Sequence, residues 1–207
     1  MRLFEHRTDG GWLIDAIRRQ RAEEAPRTGL HVSTICDDIA KTLEPRKYAK
    51  SNFTETQMLV FQELGNAVED VVAKALAARY MGFLKPEPRQ DADGIWGSPD
   101  GWHAPSRTIH EIKATWVSPR GFVEISKSGK LLTESYKFYR YRIQAMKYGA
   151  ADMWDAARIM FHVVFMVGTG YPPLPTPPRT LTLVPTEAEF ASNAAMLKQH
   201  AQDRQWL

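Results

Sequence analysis

The sequence predicts an α/β domain of the mixed, α+β kind. Three observations carry that prediction. Periodicity and turn signals run in the order helices, strands, helix, strands, helix. The run 161–167 is almost continuously apolar, as a central strand buried on both faces requires. The 207 residues suffice for one domain with a full hydrophobic core, and 43% hydrophobic beside 25% charged residues is ordinary for a globular protein.

Residues 1–29 read as a polar lead-in, in which Trp12, Leu13, Ile14 and Ile17 start a short helix ending before Pro26. The main domain is expected over 30–207. Residues 30–32 are a short extended piece, and Ser33 then caps a helix running to about Leu43, ahead of Pro45. The next helix is the clearest. Thr54 and Gln57 have capping-box spacing, and Phe61, Leu64, Val68, Val72 and Ala75 recur at helical intervals. Gly65, Glu69, Val72 and Leu76 share a neighbouring stripe, so Glu69 stands at the border of the buried face, and Gly82 closes the helix.

Residues 95–102 and 107–115 read as an antiparallel strand pair turning at 104–106. In the second strand Ile112 alternates with Glu111 and Lys113, which directs Ile112 to the core and the two charges to the other face. A long helix is expected over 133–157, then the strand 161–167. A loop with five prolines over 171–178, a strand over 180–184 and a helix from Glu187 to about Gln202 complete the chain.

No apolar run approaches the length of a membrane span, and the first seven residues lack the apolar core of a secretory signal, so a cytoplasmic protein is expected. The single cysteine, Cys36, excludes an internal disulfide and a cysteine-only metal cage. The net charge of +3 is unevenly spread: from Arg107 to Lys147 nine Lys/Arg stand against three Glu. Such a block suits either a polyanionic partner or a solvated basic face.

The residues that could do chemistry are Asp100, Glu111 and Lys113. Two carboxylates can hold a hard divalent ion such as Mg²⁺, which needs only one or two of them because it keeps several waters. Such an ion activates a water, neutralises a phosphate and assists a leaving oxygen. Lys113, on the face of Glu111, can orient the water or offset developing charge, and a nearby metal would favour a lowered lysine pKa. Taken singly, Pro99-Asp100-Gly101 is an ordinary turn and Glu111/Lys113 an ordinary surface pair.

Two further pieces extend the pattern: Gly65 with Glu69 upstream, and Gln144 with Tyr148 downstream. With Gly97-Ser98-Pro99-Asp100 and Glu111-Ile112-Lys113 they make an ordered set. In that order the chain resembles the PD-(D/E)XK nuclease superfamily, in its RecB-like and phage lambda-exonuclease-like branch, over about 30–184. The resemblance implies a restriction-endonuclease-like core, a central mixed sheet of about four or five strands flanked by helices. It implies Asp100, Glu111 and the Ile112 carbonyl as ligands of Mg²⁺, with Mn²⁺ as a substitute. It gives Lys113 the positioning of the nucleophilic water, and Glu69 a role through water on the metal or in orienting Lys113. Gln144 and Tyr148 would line the rim and touch the nucleic-acid backbone. The implied activity is a Mg²⁺-dependent deoxyribonuclease, foremost an exonuclease of phage or bacterial recombination or repair, acting in the cytoplasm of a bacterium or phage-infected host. A structure-selective or site-specific endonuclease and a non-catalytic nucleic-acid-binding module are the alternatives. DNA is the implied partner, while a recombination partner protein and a homo-oligomer stay open. One cysteine leaves no room for the four-cysteine iron–sulfur cluster of related nucleases, and no helicase P-loop is present.

The helix carrying Gln144 supports a nucleic-acid face on its own terms. Lys137, Tyr141, Gln144 and Tyr148 fall on one stripe, with Arg140 beside them and Lys147 nearby. Cations grip phosphates and rings stack on bases, although the same aromatics also suit a core. The histidines rank lower: His110 should point away from Glu111 and pack, His103 lies near it, and His31 and His162 have no partner at metal spacing. Cys36 suits a small buried hydrophobe, and the proline tract a stiff loop rather than a polyproline ligand.

Overall fold

The computed structural model describes residues 15–19, 28–43, 45, 54–115, 136–167, 174–175 and 179–207, with the backbone alone at 55, 56, 136, 137, 167, 174 and 175. Four helices are complete within these residues: α1 (Val32–Leu43), α2 (Glu55–Arg79), α3 (Tyr136–Gly149) and α4 (Glu187–Asp203). The strands are β1 (Phe83–Leu84), β2 (Arg89–Gln90), β3 (Trp96–Gly97), β4 (Gly101–His103), β5 (Thr108–Thr115), β6 (Arg158–Val167), β7 (Leu174–Pro175) and β8 (Arg179–Leu183).

The central sheet runs β1-β4-β5-β6, with β8 and the two-residue β7 pairing with successive stretches of β6. Within this sheet only β5 and β6 pair in parallel among the described residues, so the sheet is mixed as expected. Helices cover both faces. On one, Ile109, Ile159, Phe161, Val163 and Phe165 join α1, α3 and α4 in a large apolar cluster. On the other, Ile112, Val164 and Met166 meet Val72, Ala73 and Leu76 of α2.

Local signals account for most boundaries. Thr54 and Gln57 close the expected capping box on α2, and Thr186 with Glu189 closes a second one on α4. Gly82, at φ +90, makes the turn after α2 in a region that glycine enters freely. Ser33 is not the cap of α1. The His31 carbonyl takes the amides of Thr34 and Ile35, so Ser33 lies inside the first turn. Of the expected N-terminal helix, 15–19 is helical and the rest lies outside the described residues.

Three expectations are corrected. The strand 95–102 is split: Trp96–Gly97 pairs with Arg89–Gln90 in a separate ribbon, and only Gly101–His103 joins β5. Pro99, lacking an amide hydrogen, falls at the break. The helix expected to Ala157 ends at Gly149, where the amides of Trp154 and Ala156 return to the Tyr148 and Gly149 carbonyls and Asp155 takes φ +48. Its expected start at 133–135 lies outside the described residues. The proline tract is not wholly loop, since Leu174 and Pro175 pair with Val167 and Met166. No helix among the described residues is long and apolar enough to cross a membrane.

Candidate active site

Asp100 lies at the bend that leads into β4, and Glu111 and Lys113 lie on β5. Because β4 and β5 pair antiparallel, with Gly101 opposite His110, the bend is brought against the middle of β5. Asp100 Oδ2 there accepts the Ile112 amide at 2.6 Å and the Lys113 Nζ at 3.1 Å. Lys113 Nζ also meets Glu111 Oε2 at 2.8 Å. One ammonium thus stands between the two carboxylates, and the trio expected from sequence is one contact cluster.

Alternation on β5 holds, but its meaning differs from the expectation. Glu111 is fully buried and Ile112 is 3% exposed, so neither face of β5 is the solvent face. The strand is central, and helices close it on both sides. Glu111 and Lys113 project toward α1 and α3, and Ile112 toward α2.

This burial sets the electrostatics. Desolvation, with Asp100 adding to it, pushes the Glu111 carboxyl up to about 8 against the opposing pull of Lys113. Burial alone would lower Lys113, but Asp100 and Glu111 outweigh it and hold the ammonium well above its ordinary value. The lowered lysine expected from sequence is therefore not what the protein's own groups produce. Glu111 Oε1 is buried without a hydrogen-bond partner among the described residues. An unsatisfied carboxylate oxygen in such a place is costly, and a cation satisfies it.

The donor set fits a hard cation. Among the described residues no three His, Cys, Asp or Glu side chains are gathered as a metal cage. Asp100 and Glu111 are the two carboxylates that could hold an ion of the kind that retains much of its water.

Glu69 stands at the border of the buried face, as expected, but its partner is Lys85, at 2.8 Å, and not Lys113. Lys85 also lies 3.7 Å from Asp70. Sequence reasoning missed Lys85, which sits sixteen residues from Glu69 with no motif to mark it.

The residues on α3 are corrected most. Gln144 donates to the Tyr148 hydroxyl at 2.8 Å, and Tyr148 is 4% exposed. Its phenol, raised by burial and by the Glu111 charge, packs against Gly97, where an added Cβ would lie 2.5 Å from Tyr148 Cε1. Tyr148 is thus a wall behind the Asp100 loop, not a rim residue. Tyr141 is also buried, and its ring faces the Lys113 ammonium at 5.6 Å. Lys147 is buried between Asp91 (2.7 Å) and Asp152 (2.8 Å), which removes it from any nucleic-acid surface. Arg140 pairs with Asp37 and lies over the Tyr141 ring. The Lys137 side chain lies outside the described residues.

The basic block is accordingly less free than its count suggests. Arg107 pairs with Asp155 at 2.6 Å, and Lys113, Arg140 and Lys147 are paired as above. Arg142 stacks over Tyr139, and Arg120, Lys127 and Lys130 lie outside the described residues.

The histidines pack, as expected for His110. Its ring stacks on His162, with Nδ1 to Nε2 at 2.9 Å, and burial lowers both to about 4. His162, which has no partner at metal spacing in the sequence, meets His110 because β5 and β6 place Ile112 opposite His162 on the α2 face. His103 is held by Ser106 Oγ and the Met81 carbonyl. Cys36 is fully buried, and desolvation raises its thiol.

Fold and site together define a class: a mixed sheet between helices, whose central strand presents Glu-x-Lys to an acid from the preceding bend. Solved structures share the arrangement of sheet and helices. The chain is similar to a phage-related exonuclease from Haemophilus somnus 129PT, with 12% identity over 85% of this chain and 92% of the other, at a TM-score of 0.51. It is similar to SSO0001 at 11% identity over 93% and 86%, also with a TM-score of 0.51. At these identities the likeness is one of fold. No model of a known protein family matches the chain, and no curated protein does.

Proposed function

We propose that the protein is a divalent-metal-dependent nuclease that hydrolyses DNA phosphodiester bonds, with 30–207 as the nuclease domain. One observation carries this reading. Asp100, from the bend before β4, and Glu111, from β5, converge on Lys113 in a buried place where one carboxylate oxygen has no hydrogen-bond partner among the described residues. A bound Mg²⁺ or Mn²⁺ would be held by Asp100 and Glu111, with the Ile112 carbonyl beside them, and supplies Lewis acidity and an acidified water. The protein groups do the rest. The Ile112 amide fixes the Asp100 carboxylate. The Lys113 ammonium offsets negative charge on the attacked phosphate and orients the water. The Tyr141 ring and the Gln144–Tyr148 pair close the site from α3.

The similar fold of a phage-related exonuclease supports an exonuclease of recombination or repair as the finer reading. The test uses end-labelled linear and closed circular DNA with Mg²⁺, Mn²⁺ or EDTA, beside Lys113→Ala. Metal-dependent loss of linear DNA alone is expected. Nicked circles assign an endonuclease instead. Cleavage indifferent to EDTA, or equal in Lys113→Ala, overturns the assignment, and DNA binding without cleavage leaves a binding module. Independently of turnover, Mn²⁺ is expected to raise the melting temperature of the wild type and not of Asp100→Asn.

A further inference from the structure

A site built from acids must still admit a polyanion. Asp100 and Glu111 form it, Glu69 adds to its negative field, and Lys113 is already shared by the first two. Of the cations singled out by the sequence, Lys147 is buried, and Arg107 and Arg140 are held by Asp155 and Asp37. Lys85 differs in being both near the site and open to solvent. Its side chain is 56% exposed, and Asp100 adds to the negative field of Glu69 and Asp70 that raises its pKa.

Its place is fixed from two directions. The side chain reaches Glu69 on α2 at 2.8 Å. The backbone of the next residue, Pro86, takes the Ser98 hydroxyl at 3.0 Å, two positions before Asp100. The segment after β1 thus stitches the helix that carries Glu69 to the bend that carries Asp100. An exposed ion pair of this kind contributes little and is readily exchanged for another anion, unlike a buried pair.

We propose that Lys85 is a substrate-binding residue: its ammonium leaves Glu69 to grip a backbone phosphate of the incoming strand, which frees Glu69 to face the site. The inference rests on the nuclease reading above. A point charge on a flexible stem suits a phosphate without regard to base sequence.

The test measures binding of a fluorescein-labelled DNA duplex by anisotropy in Ca²⁺, over a series of salt concentrations, and turnover in Mg²⁺. It compares wild type, Lys85→Ala and Lys85→Arg. Lys85→Ala is expected to weaken binding severalfold and to raise KM by a similar factor, with kcat changed less than KM. The slope of log K against log salt should fall by about 0.9, the signature of one lost phosphate contact. Lys85→Arg should restore both. If the wild type binds and cleaves and Lys85→Ala keeps its affinity and slope, the inference falls and the nuclease reading stands. A fall in kcat with an unchanged slope makes Lys85 a positioning group for Glu69 and overturns the phosphate contact. A wild type that neither binds nor cleaves sinks both.

Discussion

Two lysines, Lys113 on β5 and Lys147 on α3, each stand between a pair of carboxylates. Around Lys147 the accounting closes through backbone amides on one oxygen of the buried acid and an ion pair on the other. Asp91 Oδ1 takes the amides of Asp93 and Ile95, its other oxygen meets Lys147 at 2.7 Å, and Asp152 completes the set at the surface. Burial would lower the Lys147 pKa, but the bonds to Asp152 and Asp91 raise it. Around Lys113 the accounting does not close. Glu111 is fully buried with one oxygen unpartnered among the described residues, and its own pKa is pushed up. A lysine between two carboxylates therefore makes a lock in one place and leaves an unmet buried acceptor in the other. What separates them is whether the backbone supplies donors to the buried acid.

That contrast is testable in descending order of effect. Asp100→Asn or Lys113→Ala should reduce cleavage by about 10²–10³-fold or more, and Asp100→Asn should leave the melting temperature close to wild type. Gross unfolding of Asp100→Asn, read by circular dichroism, would place it with the lock instead. Lys147→Met leaves Asp91 buried without its cation, so it should cost about 3–5 kcal/mol, read as a melting temperature lower by about 10 °C. Residual activity per folded molecule should survive in Lys147→Met at low temperature, and should not in Lys113→Ala.

The histidine pair on the opposite face gives a third case, titratable groups with no chemistry assigned. Both folded pKa values lie near 4, below the ordinary 6.5, so protons favour the unfolded chain. Their contribution is present above about 6.5 and is lost as pH falls through 4, on the order of 3 kcal/mol per ring. Denaturant titrations between pH 7 and 4 should show that loss, and a His110→Leu, His162→Leu double variant should flatten it. Smallest is Gly97→Ala, whose Cβ meets the Tyr148 ring at 2.5 Å; a cost of about 1–3 kcal/mol is expected, with some loss of activity as the Asp100 bend shifts.

The sequence made the local features legible. Capping residues placed α2, alternation placed Glu111 and Lys113 on one face, and the apolar run 161–167 placed β6. It failed where a long-range partner decides. Nothing near Lys147 announces Asp91, fifty-six positions away, so a buried lysine looked like a surface cation. Tyr141 and Tyr148 looked like stacking platforms because their covering elements, β5 and the bend at 97–100, are distant in the chain. Lys85 was invisible for the same reason. The Ile95–Trp102 run read as one strand because periodicity cannot show that its two halves pair with different partners.

The parallel pairing of β5 with β6 bears on how the protein reaches this state. Thr108 pairs with Arg158, fifty residues on, whereas β4 and β5 meet across a three-residue 3₁₀ turn. Local hairpins close in microseconds, and contacts across long loops wait on a larger entropic barrier. Asp100 and Glu111 therefore meet across a local hairpin, while the burial that raises the Glu111 carboxyl depends on β6, whose Phe161 pairs with Glu111 from fifty residues away. The geometry of the trio is a local property of this chain, and the raised proton affinity a long-range one.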